Sequence, residues 1–189
     1  MASPVQTGLT YDDLASFPDD NLRRELIDGE LIVTPAPRVR HQDVVVWLTT
    51  ELGLYARAHG GRVYCAPLDV YFSERDVVEP DVLYVRPEHR SRLEERFLRG
   101  AADLVVEVSS PSTRHLELVR KRALYERFGV PEYWYVDLDA ERVEVHRLTD
   151  ARYGAPTLLR AGDELTSPVL PGLALNVGEL LCPVEPGGG

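Results

Sequence analysis

Lysine is nearly absent from this chain. Of the 21 Lys and Arg residues among 189, only Lys121 is lysine and the rest are arginine. Arginine serves equally well for solubility and surface ion pairs. The one exception therefore marks a position for what lysine alone offers: a compact ammonium that fits a tight site and whose pKa shifts on burial. Cysteine is also scarce. Cys65 and Cys182 stand far apart and fit no metal spacing, so they read as buried or idle thiols rather than a disulfide framework. No apolar run reaches the length of a membrane span. The leading segment MASPVQTGLTYDD has neither the basic nor the apolar region of a signal peptide, so the expected compartment is cytoplasmic. No G-x-S-x-G elbow surrounds Ser109-Ser110, which argues against a serine hydrolase. The histidines show no zinc-protease spacing, and no helix-turn-helix or zinc finger is present. Basic excess is missing too. A net charge of -10 argues against a tight, non-specific DNA binder, whose affinity comes from phosphate neutralisation. It leaves room for an enzyme with a local basic groove, or one that engages its substrate through bound cations.

The length fits one domain over 1–189, with a disordered leader over about 1–8 and a loose tail over about 183–189. Thr10 precedes a short capped helix, with Asp12 and Asp13 in its first turn. RRELIDGELIVT follows, two apolar runs around Asp28-Gly29, a strong hairpin signal. His41 opens a long helix with apolar positions Val44, Val45, Leu48, Leu52, Leu54 and Tyr55, closed by Gly60-Gly61. Two strands are expected next, RVYCAPLDVYF and VVEPDVLYV, joined by the turn SERD; a polar linker follows. After residue 137, ERVEVHRLT alternates as a half-solvated strand, and the remainder reads as short strands and turns. The expected class is α/β in the wider sense of α+β: a mixed β-sheet flanked by helices, with an N-terminal hairpin.

The chain is organised around DLVVEVSSPSTRHLELVRKRALYERFGVPEYWYVD, a strand, a helix and a second strand. In LVVEV, Leu104, Val106 and Val108 share one face and Val105, Glu107 and Ser109 the other. Glu107 either sits on a solvated face or is a buried carboxylate that needs a cation or a proton. Pro111 stops the strand, and Ser112 or Thr113 caps the helix. Glu117, Lys121, Leu124 and Phe128 then fall on one stripe, so Lys121 either pairs with Glu117 at the rim or serves a lysine-specific role. Asp81, after Pro80, opens an earlier strand. Carboxylates at the mouths of neighbouring strands supply the oxygen ligands that a hard cation such as Mg2+ requires.

These residues resemble the PD-(D/E)XK nuclease superfamily, which joins Pro-Asp on one strand to Glu-x-Lys on the next. Pro80-Asp81 and Glu107-Val108 match, while Ser109 stands where the pattern has lysine. The chain is similar more specifically to the bacterial Uma-two family of restriction-endonuclease-like proteins, through ELIDGELI, His41 at a helix start, EPDVLYV, DLVVEVSSPST and K...Y...GVPEYWYVD. The resemblance implies a restriction-endonuclease-like fold and a Mg2+-dependent endonuclease acting on DNA, with Mn2+ as a substitute ion and a homodimer as the expected assembly. It implies Asp81 and Glu107 as metal ligands, with the Val108 carbonyl as a further ligand. Lys121, from the helix, takes the place of the missing lysine. Glu30 and His41 match recurrent positions; Glu30 reads as an extra ligand or an exposed hairpin carboxylate, His41 as a site residue or a polar helix start. Tyr125 and Trp134 read as core or supporting contacts. The alternative is a catalytically silent binding or assembly module on the same fold. In an enzyme the Lys121 ammonium points at the two carboxylates, in a silent module at Glu117 and solvent.

Overall fold

The computed structural model describes residues 6–18, 20, 22–109 and 116–183, without the side chain of Glu117. The expected caps at Ser112 and Thr113, the stop at Pro111, residues 1–5 of the leader and 184–189 of the tail lie outside the described residues.

The sheets carry the fold. A short helix α1 (Tyr11–Ala15) precedes β1 (Arg23–Ile27) and β2 (Glu30–Thr34), which pair antiparallel with Ile27 opposite Glu30. Asp28 and Gly29 form the turn, both at positive φ (55° and 75°), as a two-residue hairpin loop of this hand requires. Helix α2 (Val39–His59) follows. Then come β3 (Arg62–Cys65), β4 (Asp69–Ser73), β5 (Asp76–Val78) and β6 (Val82–Val85). The two long strands expected here are thus four, divided between two sheets. The break in the first falls at Ala66-Pro67, where proline cannot donate to a ladder. The expected linker holds a short, tightly wound helix, Pro87–Arg92, and a strand β7 (Phe97–Arg99).

The central unit is β8 (Leu104–Val108), α3 (Leu116–Lys121 continuing as Arg122–Arg127) and β9 (Glu132–Asp137). The first turns of α3 are wound with i→i+5 geometry, ending at Lys121 itself. β8 and β9 pair in parallel, Glu107 opposite Tyr135, as a crossover helix demands. The remaining strands are β10 (Arg142–Thr149), β11 (Arg152–Tyr153), β12 (Thr157–Leu159), β13 (Glu164–Thr166) and β14 (Ala174–Asn176). A helix the sequence reading did not anticipate, α4 (Val177–Leu181), closes the described chain. Among the described residues the larger sheet runs β11-β10-β9-β8-β6-β3, with β12 on β10, and a second runs β2-β1-β5-β4-β7.

Both faces of the larger sheet are covered. On one side Val44, Val45, Leu48, Leu52 and Tyr55 of α2 and Val177, Leu180 and Leu181 of α4 pack on Leu104, Val106, Val108 and Trp134. Each such side chain contributes about 1.5–3 kcal/mol on burial. On the other side Val105, Tyr133 and Tyr135 meet Leu124 and Tyr125 of α3 and Val70 and Val78 of the second sheet. Glu107 lies on this covered face and is 0 % exposed, so the solvated placement is excluded. Leu54, expected on the buried stripe of α2, is instead turned outward, and so is Val119 of α3. Cys65 and Cys182 are free and exposed rather than buried. Among the described residues no helix is long and apolar enough to cross a membrane.

His146 in β10 is buried against the Tyr133 ring (centroids 5.4 Å apart, 17° between planes), and neither ring nitrogen has a hydrogen-bond partner. Burial first, then the nearby Arg122 charge, holds its pKa below the ordinary value of 6.5. The unfolded chain binds this proton more readily, so the contribution of His146 to folding stability falls as pH drops below about 6.5. His146→Phe keeps the stacked shape and removes that slope. Urea unfolding at several pH values from 7.5 to 5 checks this; an unchanged slope in the variant contradicts it.

Candidate active site

Five charged side chains and a histidine converge where β1, β6, β8 and α3 meet. Lys121, at the end of the i→i+5 turns, places its ammonium 2.9 Å from Glu107 Oε1 and 2.7 Å from Glu25 Oε1. All three are essentially buried, at 2 %, 0 % and 1 % exposure. The Tyr125 hydroxyl, one turn further along α3, donates to the same Glu107 oxygen at 2.5 Å. The backbone N–H of Glu79 donates to Glu25 Oε1. Asp81, at the mouth of β6, accepts from the Val108 backbone N–H at 2.8 Å and from His41 Nε2 at 3.1 Å, both on Oδ2. Its other oxygen accepts from Arg23 at 2.8 Å. The Arg23 guanidinium also lies 3.6 Å from Glu25 and 3.8 Å from Glu107.

The local sequence explains each placement. An apolar strand buried on both faces carries Glu107 inward, because the pleat puts it on the side of Val105. Arg23, Glu25 and Ile27 alternate along β1 and so share a face, and Ile27 is buried. His41 sits in the first turns of α2, with its ring toward Asp81.

Electrostatics separate the three carboxylates. Burial pushes Asp81 up, but the His41 hydrogen bond and the Arg23 charge outweigh it and hold its carboxyl well below the usual range. Burial also opposes ionisation of Glu25, yet Lys121 and Arg23 keep its pKa lowered. For Glu107 burial wins: together with repulsion from Asp81 and Glu25 it outweighs Lys121, and the pKa is raised. Lys121 is raised as well, because Glu107 and Glu25 overcome the effect of burial. With the three carboxylates ionised and His41 neutral, the two permanent cations leave one negative charge uncompensated. Glu25 Oε2 and Glu107 Oε2 are buried without hydrogen-bond partners.

Of the residues singled out in the sequence, Asp81, Glu107, Lys121, His41 and Val108 are brought together; Val108 enters through its backbone. Glu30 is not. It lies nearer the turn of the hairpin and pairs with Arg120 at 3.0 Å. Tyr125 touches Glu107 directly, whereas Trp134 lies on the opposite face and donates its indole N–H to Glu132. Ser109, where lysine was wanted, accepts from the Leu138 N–H and ties β8 to the end of β9. The ammonium points at two carboxylates, but they are Glu107 and Glu25 rather than Glu107 and Asp81. Glu25 and Arg23 were missed; the period-two pattern ending at buried Ile27 was the signal that could have found them. Among the described residues no group of three or more His, Cys, Asp or Glu closes on a common point as a metal cage.

A cleft of about 650 Å³ opens onto this cluster. Arg23, His41, Glu79 and Asp81 stand at its charged end, and Val45, Val46, Thr49 and Thr50 of α2 form one wall.

The model of the Uma2 family, described as "Putative restriction endonuclease", matches residues 10–178. The chain belongs to the Uma2 family. Its fold is similar to that of a crystal structure from Anabaena variabilis described as "a putative nuclease belonging to DUF820". That likeness has a TM-score of 0.78 and 18% identity, over 92% of this chain and 97% of the other. No curated protein matches. Family and fold agree with the restriction-endonuclease-like class expected from the sequence.

Removing Lys121 leaves two buried carboxylates facing each other. Lys121→Met is expected to cost roughly 3–5 kcal/mol. Adding Glu107→Gln removes one of those charges, so the double variant is expected to be more stable than Lys121→Met alone. Urea unfolding of both single variants and the double variant gives the coupling. Strictly additive costs would contradict the pairing.

Proposed function

We propose that the protein is a Mg2+-dependent endonuclease that hydrolyses DNA phosphodiester bonds, with Mn2+ able to substitute. The observation that carries this reading is the Lys121 ammonium held between Glu107 and Glu25, one strand from Asp81. A scaffold salt bridge needs one carboxylate per lysine. A cluster with three carboxylates, one uncompensated charge and two unpartnered carboxylate oxygens has the chemistry of a hard-cation site.

The residues present fit such an ion. Asp81 and Glu107 would hold it. In extended backbone the N–H and C=O of one residue point the same way, so the Val108 carbonyl lies on the Asp81 side and suits a further ligand. When bound, the ion supplies Lewis acidity toward the phosphodiester and lowers the pKa of a water. His41 fixes the orientation of Asp81. Tyr125 and Lys121 fix that of Glu107. Lys121 further supplies a fixed positive charge where negative charge develops. The cleft beside Asp81 gives the substrate backbone a place to lie. A homodimer, with two such sites for two strands, belongs to the same reading.

One observation favours the silent module instead: Arg23 already partly neutralises the carboxylates. Cleavage of plasmid and linear DNA with Mg2+, Mn2+ or EDTA decides between them. Activity is expected only with the ions and is expected to fall roughly 100-fold or more in Asp81→Asn and Glu107→Gln. Cleavage that survives EDTA, or is untouched by Asp81→Asn, would overturn the proposed site. Absence of cleavage on every substrate, with no ion bound, would favour the module.

A further inference from the structure

Arg23 is unlike the other members of the cluster. Its side chain is 22% exposed, whereas those of Glu25, Asp81, Glu107 and Lys121 are 3% exposed or less. It stands between the cleft and the buried pair, since the cleft is lined by Arg23 and Asp81 but not by Glu25, Glu107 or Lys121. Its grip is incomplete. One terminal nitrogen donates to Asp81, while Nε and the other terminal nitrogen are buried without hydrogen-bond partners. Charge, rather than a saturated fork of hydrogen bonds, therefore keeps the guanidinium in place.

We propose that Arg23 is a displaceable counter-cation: it occupies the carboxylate site while no divalent ion is bound, and turns into the cleft, toward the substrate phosphate, when one enters. This rests on the reading of the cluster as a cation site. The Asp81 oxygen that Arg23 holds is one a metal ion needs as ligand. An ion, Lys121 and Arg23 together would carry four positive charges against three carboxylates within a few ångströms, and repulsion between cations is strong in a buried site. The exit is short, because the Arg23 side chain already lines the cleft. There its planar fork suits two phosphate oxygens.

Isothermal titration of Mn2+ and Mg2+ into the full chain, wild type and Arg23→Met, tests this without reference to cleavage. The variant is expected to bind ions more tightly, on the order of tenfold, and to melt at a lower temperature in EDTA, with Mn2+ restoring its stability. Equal or weaker binding by the variant would overturn the proposal while leaving the cation site intact. Binding by neither would overturn both. Should Arg23→Met fail to fold, the wild type carries the test through the NMR signal of its Arg23 Nε–H, assigned by its loss in Arg23→Lys. Mg2+ is expected to shift that signal; an unmoved signal under saturating ion would overturn the proposal.

Discussion

A lysine ammonium buried between two glutamates is the constraint on which the rest of this structure depends. Neither glutamate can remain ionised in the interior without a cation, and the ammonium cannot remain charged without them. The three groups come from β1, β8 and α3, so the hairpin sheet, the central sheet and the crossover helix must meet at one point for any of them to be tolerated. The Glu79 backbone adds a hydrogen bond to Glu25, and the Tyr125 hydroxyl adds one to Glu107. Such a network specifies how the layers dock as much as it stabilises them, since a shift of one residue along β1 would turn Glu25 and Arg23 away and bring Arg24 inward.

The same arrangement is unfinished as a purely structural device. A stabilising network satisfies every buried polar atom, because each orphan costs on the order of 1–3 kcal/mol. Here Glu25, Glu107, Arg23 and His41 all retain buried atoms without partners, and Arg23 and His41 line an open cleft. Asp81 is held ionised while Glu107 is pushed toward protonation.

Much of this was legible in the sequence because of local contradictions. A glutamate inside LVVEV cannot be ignored once both faces of that strand need covering, and one lysine among twenty arginines asks for a reason. Asp28-Gly29 marked the hairpin, and both residues adopt the positive φ that its turn requires. Glu25 and Arg23 escaped because charged residues in a hairpin next to the N-terminal segment look like a solvated edge. Which hairpin face is buried depends on a second sheet assembled from β4, β5 and β7, distant in sequence. Glu30 was singled out because it matches a recurrent position of the family, but it pairs with Arg120 of α3 outside the cluster. The division of the middle of the chain into four short strands was likewise hidden, because periodicity shows where strands lie and not which sheet each joins.

The most direct measurement of the central claim is the anomalous difference density of crystals soaked in Mn2+. One strong peak bounded by Asp81 and Glu107 is expected, with carboxylate oxygens at about 2.1 Å. A map with no peak at millimolar Mn2+, and with the Arg23 guanidinium still seated on Asp81, would contradict it.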